Sequence, residues 1–149
     1  FRSFDEAKFV QLDPNHLLTK IHLDKPAETK PDKTWLTLGV SSAQEERSFK
    51  YNLEVISEKT LPAESGWLSD IPSRTEYILG LSPKAIKEFT QLQDFMKSAS
   101  PTGFDLHVST GFKESESKLN TVTMSIFLKL YANEDYFTLF DRAALDIEK

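Results

Sequence analysis

Along most of this chain apolar residues recur at every second position, the period of a strand with one buried face. Leu17, Thr19, Ile21 and Leu23 fall on one side of such a strand, with Lys20, His22 and Asp24 on the other. Leu36, Leu38 and Val40 alternate with Trp35, Thr37 and Gly39, and Phe49, Tyr51, Leu53 and Val55 alternate with Lys50, Asn52 and Glu54 as far as Ile56. The polar link 42–48 between these two runs predicts an antiparallel hairpin. Tyr77, Leu79 and Leu81 mark a further strand, Phe104 to Phe112 another, and Val122, Met124, Ile126, Leu128 and Leu130 form the longest inward row. A tight connection at 132–135 leads into a last strand at 136–140. The period changes once: Ser82 at a cap, Pro83 at the first helical position, and Ile86, Phe89, Leu92 and Met96 at helical spacing predict a helix from 83 to 98.

Other stretches carry less pattern. Residues 1–16 read as an N-terminal extension, in which Ser3 and Glu6 have capping-box spacing ahead of a short helix that Asp13-Pro14 would end. Residues 25–33, with Pro26 and Pro31, read as a polar connector, 113–120 as a charged turn, and 141–149 either prolong the last strand or form a short helix. Residues 57–75 show no sustained period and read as a long loop holding the apolar cluster Trp67, Leu68 and Ile71. The whole predicts a single mainly β domain, an antiparallel β-sandwich or strongly bent sheet of six to seven strands with one mid-chain α-helix. The alternative is an α+β arrangement with that helix packed on one sheet face. Phe127 and Tyr131, outward on their strand, favour a helix covering that second face.

Length and composition narrow the function. A chain of 149 residues makes one domain. With 18 Lys plus Arg against 23 Asp plus Glu, the net charge of −5 gives no overall attraction to a phosphate backbone, so nucleic acid is not an expected partner. No apolar run is long enough for a membrane-spanning helix. The absence of cysteine excludes disulfides, thiolate metal sites and cysteine nucleophiles. An acidic, Cys-free, β-rich chain opening on Phe1-Arg2-Ser3 fits a periplasmic or outer-membrane-anchored domain of a bacterial envelope, with an export signal or lipid anchor upstream; a cytoplasmic domain is the alternative.

Candidate chemistry is sparse. The Gly-rich phosphate loops, the nucleophile elbow, the His-Glu-x-x-His pair and the calcium loop are all missing, and no cofactor is expected. The densest metal-capable set is Asp13, His16, His22 and Asp24, with His107 as a distant further ligand; an ordinary solvated strand face accounts for the same residues. Glu114 and Glu116 fall in a charged turn too polar to raise a carboxyl pKa. Trp67 is either a binding anchor or a plug folded back on the core with one edge flanked by Glu64, Ser65 and Asp70. Trp35 and Tyr136 share that ambiguity. The sequence therefore points to a non-enzymatic binding or accessory module that holds a protein partner through a sheet edge or the 57–75 segment. A carbohydrate-binding sandwich using Trp67, Trp35 and Tyr136 is the alternative, and a metal-dependent hydrolase at His16 and His22 the third.

Overall fold

The structure is a computed structural model that describes residues 2–4, 11–42, 46–67, 70–97, 102–113 and 121–146. The expected alternation becomes strands β1 (Arg2–Phe4), β2 (Leu18–Asp24), β3 (Thr29–Ser41), β4 (Glu46–Leu61), β5 (Glu64–Ser65), β6 (Asp70–Ile71) and β7 (Arg74–Leu81), helix α1 (Pro83–Met96), then β8 (Gly103–Phe112), β9 (Thr121–Lys129) and β10 (Phe137–Asp146). Eight strands form one sheet in the order β1-β8-β3-β4-β7-β2-β9-β10, every pair antiparallel, while β5 and β6 form a small sheet of their own. The mainly β class with a single described helix is the one the periodicity predicts.

Strand β4 makes the sheet bend. It pairs with β3 through Glu46 to Asn52 and with β7 through Leu53 to Leu61, so it belongs to two half-sheets in turn. Leu36, Leu38, Phe104 and Leu106 from one half and Ile21, Leu23, Tyr77, Leu79, Ile126 and Leu128 from the other join a single buried cluster. Their inner faces therefore fold toward one core. The Thr29 amide of β3 donates to the Tyr77 hydroxyl of β7 at 3.4 Å, tying the halves together past the intervening β4. The sheet does not close, and β1 and β10 end it.

Helix α1 starts where the cap signal places it. Ser82 Oγ accepts from the Ala85 amide at 3.1 Å, and Ala85, Phe89, Leu92, Gln93 and Met96 are buried. Phe89 packs on Tyr51 with ring centroids 5.3 Å apart, and Gln93 Nε2 donates to the Leu12 carbonyl at 2.7 Å, fastening the segment before β2 to the helix. The helix thus joins the inner core. It does not cover the outer face of β9, as Phe127 and Tyr131 had suggested; Phe127 is sheltered instead by Lys20 and by His22, an edge-on ring at 5.2 Å.

Where strands run further than the periodicity predicts, a bulge hides them. β3 begins at Thr29 rather than Trp35, because its register with β8 shifts between Lys30 and Thr34. β4 and β7 extend into what reads as a loop at 57–75. The register shift between Val55 and Ser57 moves Ile56 out over Gly80, where a Cβ would lie 2.9 Å from Ile56 Cδ1, and restarts the alternation in a stretch exposed on both faces. The tail continues β10 through two shifts, between Thr138 and Phe140 and between Phe140 and Ala143. At the second, Arg142 takes φ 50°, a left-handed conformation that strains a residue bearing a Cβ. Three contacts hold it: its amide donates to Ser125 Oγ at 2.8 Å, and its guanidinium grips both Asp24 carboxylate oxygens at 3.1 and 2.8 Å. β1 pairs with β8, so Ser3 lies in a strand; the short helix expected beyond it falls on 5–10, and most of the charged turn on 114–120, outside the described residues.

Two outcomes follow for stability. Phe89→Ala should cost about 3 to 5 kcal/mol in chemical denaturation, since the ring is fully buried against Tyr51 and its loss opens a cavity. Thr19, equally buried in the inward row of β2, has a hydroxyl with no hydrogen-bond partner. Thr19→Val should therefore stabilise the chain by about 1 kcal/mol, read from the same denaturation midpoint.

Candidate functional site

Cross-strand pairing gathers polar side chains on the outer face of β7, β2 and β9. His22 stands opposite Glu76 on one side and Ser125 on the other. Its Nε2 lies 2.8 Å from Glu76 Oε2, with both side chains largely buried, and Lys59 Nζ lies 3.4 Å from Glu76 Oε1. Burial pushes the Glu76 carboxyl up, but the hydrogen bond to His22 and the charge of Lys59 outweigh it and hold it below the ordinary carboxylate value. Lys20 Nζ sits 4.2 Å from the Tyr136 ring centroid and 5.2 Å from that of Phe127. Burial, with the Glu76 charge behind it, raises the Tyr136 phenol.

A serine, a histidine and a carboxylate thus meet on one face, but not as a nucleophile and its base. The Ser125 hydroxyl donates to Asp141 Oδ1 at 3.0 Å and accepts from the Arg142 amide. Its proton points away from the imidazole. Sequence reasoning missed Glu76, Ser125, Asp141 and Arg142 because their meeting depends on which strands pair, and the only local signal is the outward phase of each strand.

The metal candidates do not converge. His16 lies exposed in the turn before β2, 3.5 Å from Asp13; His22 is bonded to Glu76, and Asp24 to Arg142. His107 pairs with Asp105 at 3.5 Å on β8, four places from β2 in the sheet. Among the described residues no group of three His, Asp or Glu side chains is placed to hold a metal ion.

The aromatic candidates lie on three separate elements. Trp35 is half-buried on the outer face of β3 with Lys50 Nζ 4.7 Å above its ring, while Tyr136 lies over β2 and β9 under Lys20. They belong to different half-sheets and form no common row. Trp67 sits between β5 and β6 and is 94% exposed, so it neither plugs the core nor tucks its indole partly against it. Ile71 is half-buried opposite Glu64 in the small sheet, and Leu68 falls outside the described residues.

Trp67 stands at the end of a projecting β4–β7 arm whose geometry is fixed. Arg74 donates to Glu64 at 3.2 Å, the Ser73 hydroxyl to the Leu61 carbonyl at 3.2 Å, and Lys25 Nζ to Thr60 Oγ1 at 2.9 Å. Ile56, 63% exposed, lies lower on the same arm. Of the hollows beside β4, two lie near its crossover between partners. A groove of about 350 Å³ against α1 has Tyr51, Leu92 and Phe95 among its walls, and burial together with Glu88 pushes the Tyr51 phenol up to about 12. A wedge of about 560 Å³ on the β3 side is lined by Asp32, Asn52, Leu53, Glu54, Val55 and Ser82. Comparison with protein-family models, with curated proteins and with solved structures finds no match to this chain.

The depressed Glu76 carboxyl sets a pH dependence. It stabilises the fold above the unfolded value of about 4.5, and the contribution disappears as pH falls through the lower folded value. Glu76→Gln should cost about 1 to 2 kcal/mol at pH 7, and the gap to the parent should narrow steadily in denaturation series taken from pH 5 to pH 3. A gap that stays constant with pH would show that the His22 and Lys59 contacts do not bias the carboxyl.

Proposed function

We propose that this chain is a non-enzymatic binding module that holds a protein partner through the β4–β7 arm, and that it works in a bacterial cell envelope. The observation that carries the reading is Trp67, 94% exposed at the end of an arm fixed by the Arg74–Glu64 and Ser73–Leu61 contacts. An indole in water contributes little to folding, yet on contact an aromatic side chain of this kind buries on the order of 150 to 250 Å². Tryptophan is also enriched among the few residues that dominate interface energies. A pre-fixed arm adds to this, because ordering it on binding costs less than ordering a loose loop. The outer-face histidine, serine and carboxylates are engaged with one another, which leaves the catalytic alternative with less support. The envelope setting rests on the acidic, Cys-free, β-rich composition.

Trp67→Ala should leave folding stability within roughly 0.5 kcal/mol of the parent. A photo-reactive benzoyl-phenylalanine at position 67, introduced in cells that make the protein, should give one discrete adduct with a partner protein, recovered from the envelope fraction. The same probe at Lys84, exposed on α1, should give none. Diffuse labelling at both positions, or none at 67, would refute the arm as a binding surface, and recovery of the chain in the cytosolic fraction would refute the setting.

A further inference from the structure

We infer that the arm captures its partner by strand addition, taking a basic, extended peptide segment along the free edge of β4. The inference rests on the protein-binding reading above and specifies its chemistry. β3 and β4 pair as far as Trp35 opposite Asn52 and then part, because β3 bulges between Lys30 and Thr34 while β4 runs on against β7. Beyond that point β4 is paired, among the described residues, on its β7 side only. The Asn52 carbonyl accepts from the Ser82 amide, which fixes the side toward which Asn52 faces. Alternation along an antiparallel strand then turns the backbone groups of Leu53 and Val55 to the opposite side, and past the bulge the register gives that side to Glu58 and Thr60. These donors and acceptors face the wedge and the solvent beyond it. Only another extended strand matches such a row along its length, and exposed edges of this kind are templates for pairing.

The side chains along this edge select the charge of the incoming strand. Asp32 and Glu54 line the wedge, Glu58 follows on the arm, and all three are exposed. Three cations of the arm and its base are already engaged: Lys59 is paired with Glu76, Arg74 with Glu64, and Lys25 with Thr60. Lys or Arg at alternate positions of the added strand would meet Glu54 and Asp32 on one face, and a basic residue past the bulge would meet Glu58 on the other, while its backbone pairs with β4 and one end lies toward Trp67.

The test uses the folded chain and a fluorescein-labelled ten-residue peptide in which Lys alternates with Val or Thr. Its counterpart with Glu in place of Lys, and a copy of the basic peptide N-methylated at every second residue, are the comparisons. Fluorescence anisotropy should show the basic peptide binding at least tenfold more tightly than the acidic one, weakening as salt rises, and N-methylation should abolish binding. Amide exchange should slow at Leu53, Val55, Glu58 and Thr60 on binding. Asp32→Asn with Glu54→Gln should reduce affinity about tenfold. Thr60→Pro, which removes an outward amide without breaking the β7 ladder, should weaken it further, whereas Thr60→Val, which removes only the contact with Lys25, should not. Equal affinity for basic and acidic peptides, or no slowing at those four amides, overturns strand addition even where the adduct at position 67 persists. Slowed amides with an affinity unmoved by Trp67→Ala would instead keep strand addition and remove the indole from the contact.

Discussion

One strand shared between two pairings is the constraint on which this fold depends. β4 spends its first part against β3 and the rest against β7, and the inner rows of both half-sheets can meet only because the chain turns from one partner to the other at Asn52 and Leu53. Tyr51 and Leu53, both buried, stand at that crossover. Helix α1 is delivered to the same place by the end of β7, where Ser82 bonds to Asn52 and Phe89 lies on Tyr51. A helix there runs beside the first part of β4, which pairs with β3 and lies beyond the reach of β7. It follows that the helix belongs to the core of the bent sheet.

The outer face is stabilised by a different logic. Carboxylates, a histidine and a buried serine lie close to apolar rings, where unpaired polar groups would be costly. Each is matched: His22 to Glu76, Ser125 to Asp141, Asp24 to Arg142. Ser125, which also accepts from the Arg142 amide, and Asp24 hold a backbone conformation that Arg142 would not adopt alone. A polar face closed on itself in this way fixes β10 to β9 and β2, and few of its groups are left to receive a substrate. The arm presents the opposite condition, with Ile56 and Trp67 exposed and an edge of β4 that has no strand partner among the described residues.

How much of this was legible depended on whether a local period survived. The inward rows of β2 and β9, the β3–β4 hairpin and the Ser82-Pro83 start of α1 are local signals, and all of them appear where the sequence places them. Three strand extensions that went unread lie next to register shifts, at Lys30 to Thr34, Val55 to Ser57 and Phe140 to Ala143, where an odd number of extra residues, three at the first and one at each of the others, inverts the phase of the alternation. The arm was read as a loop for a second reason: residues exposed on both faces carry no hydrophobic period at all. Trp67 could not be placed by composition, because whether a large ring finds a cavity is decided by tertiary contacts alone. The His22–Glu76 pair, fifty-four residues apart, was out of reach for the same reason. The outward position of Phe127 was read correctly, but its cover was sought in a helix when Lys20 and His22 of the neighbouring strand provide it.

The continuity of β4 from the core into the arm also has a mechanical side. A partner pulling on the tip would draw along the axes of β4 and β7, across ladders whose hydrogen bonds lie perpendicular to the pull. Those bonds would be loaded together in shear, with tension passing through β7 to β2 and through β4 to β3, whereas a tug at the outer margin of β10 would open bonds one after another like a zip. A load applied at the arm would thus be shared between both half-sheets through the one strand that belongs to each.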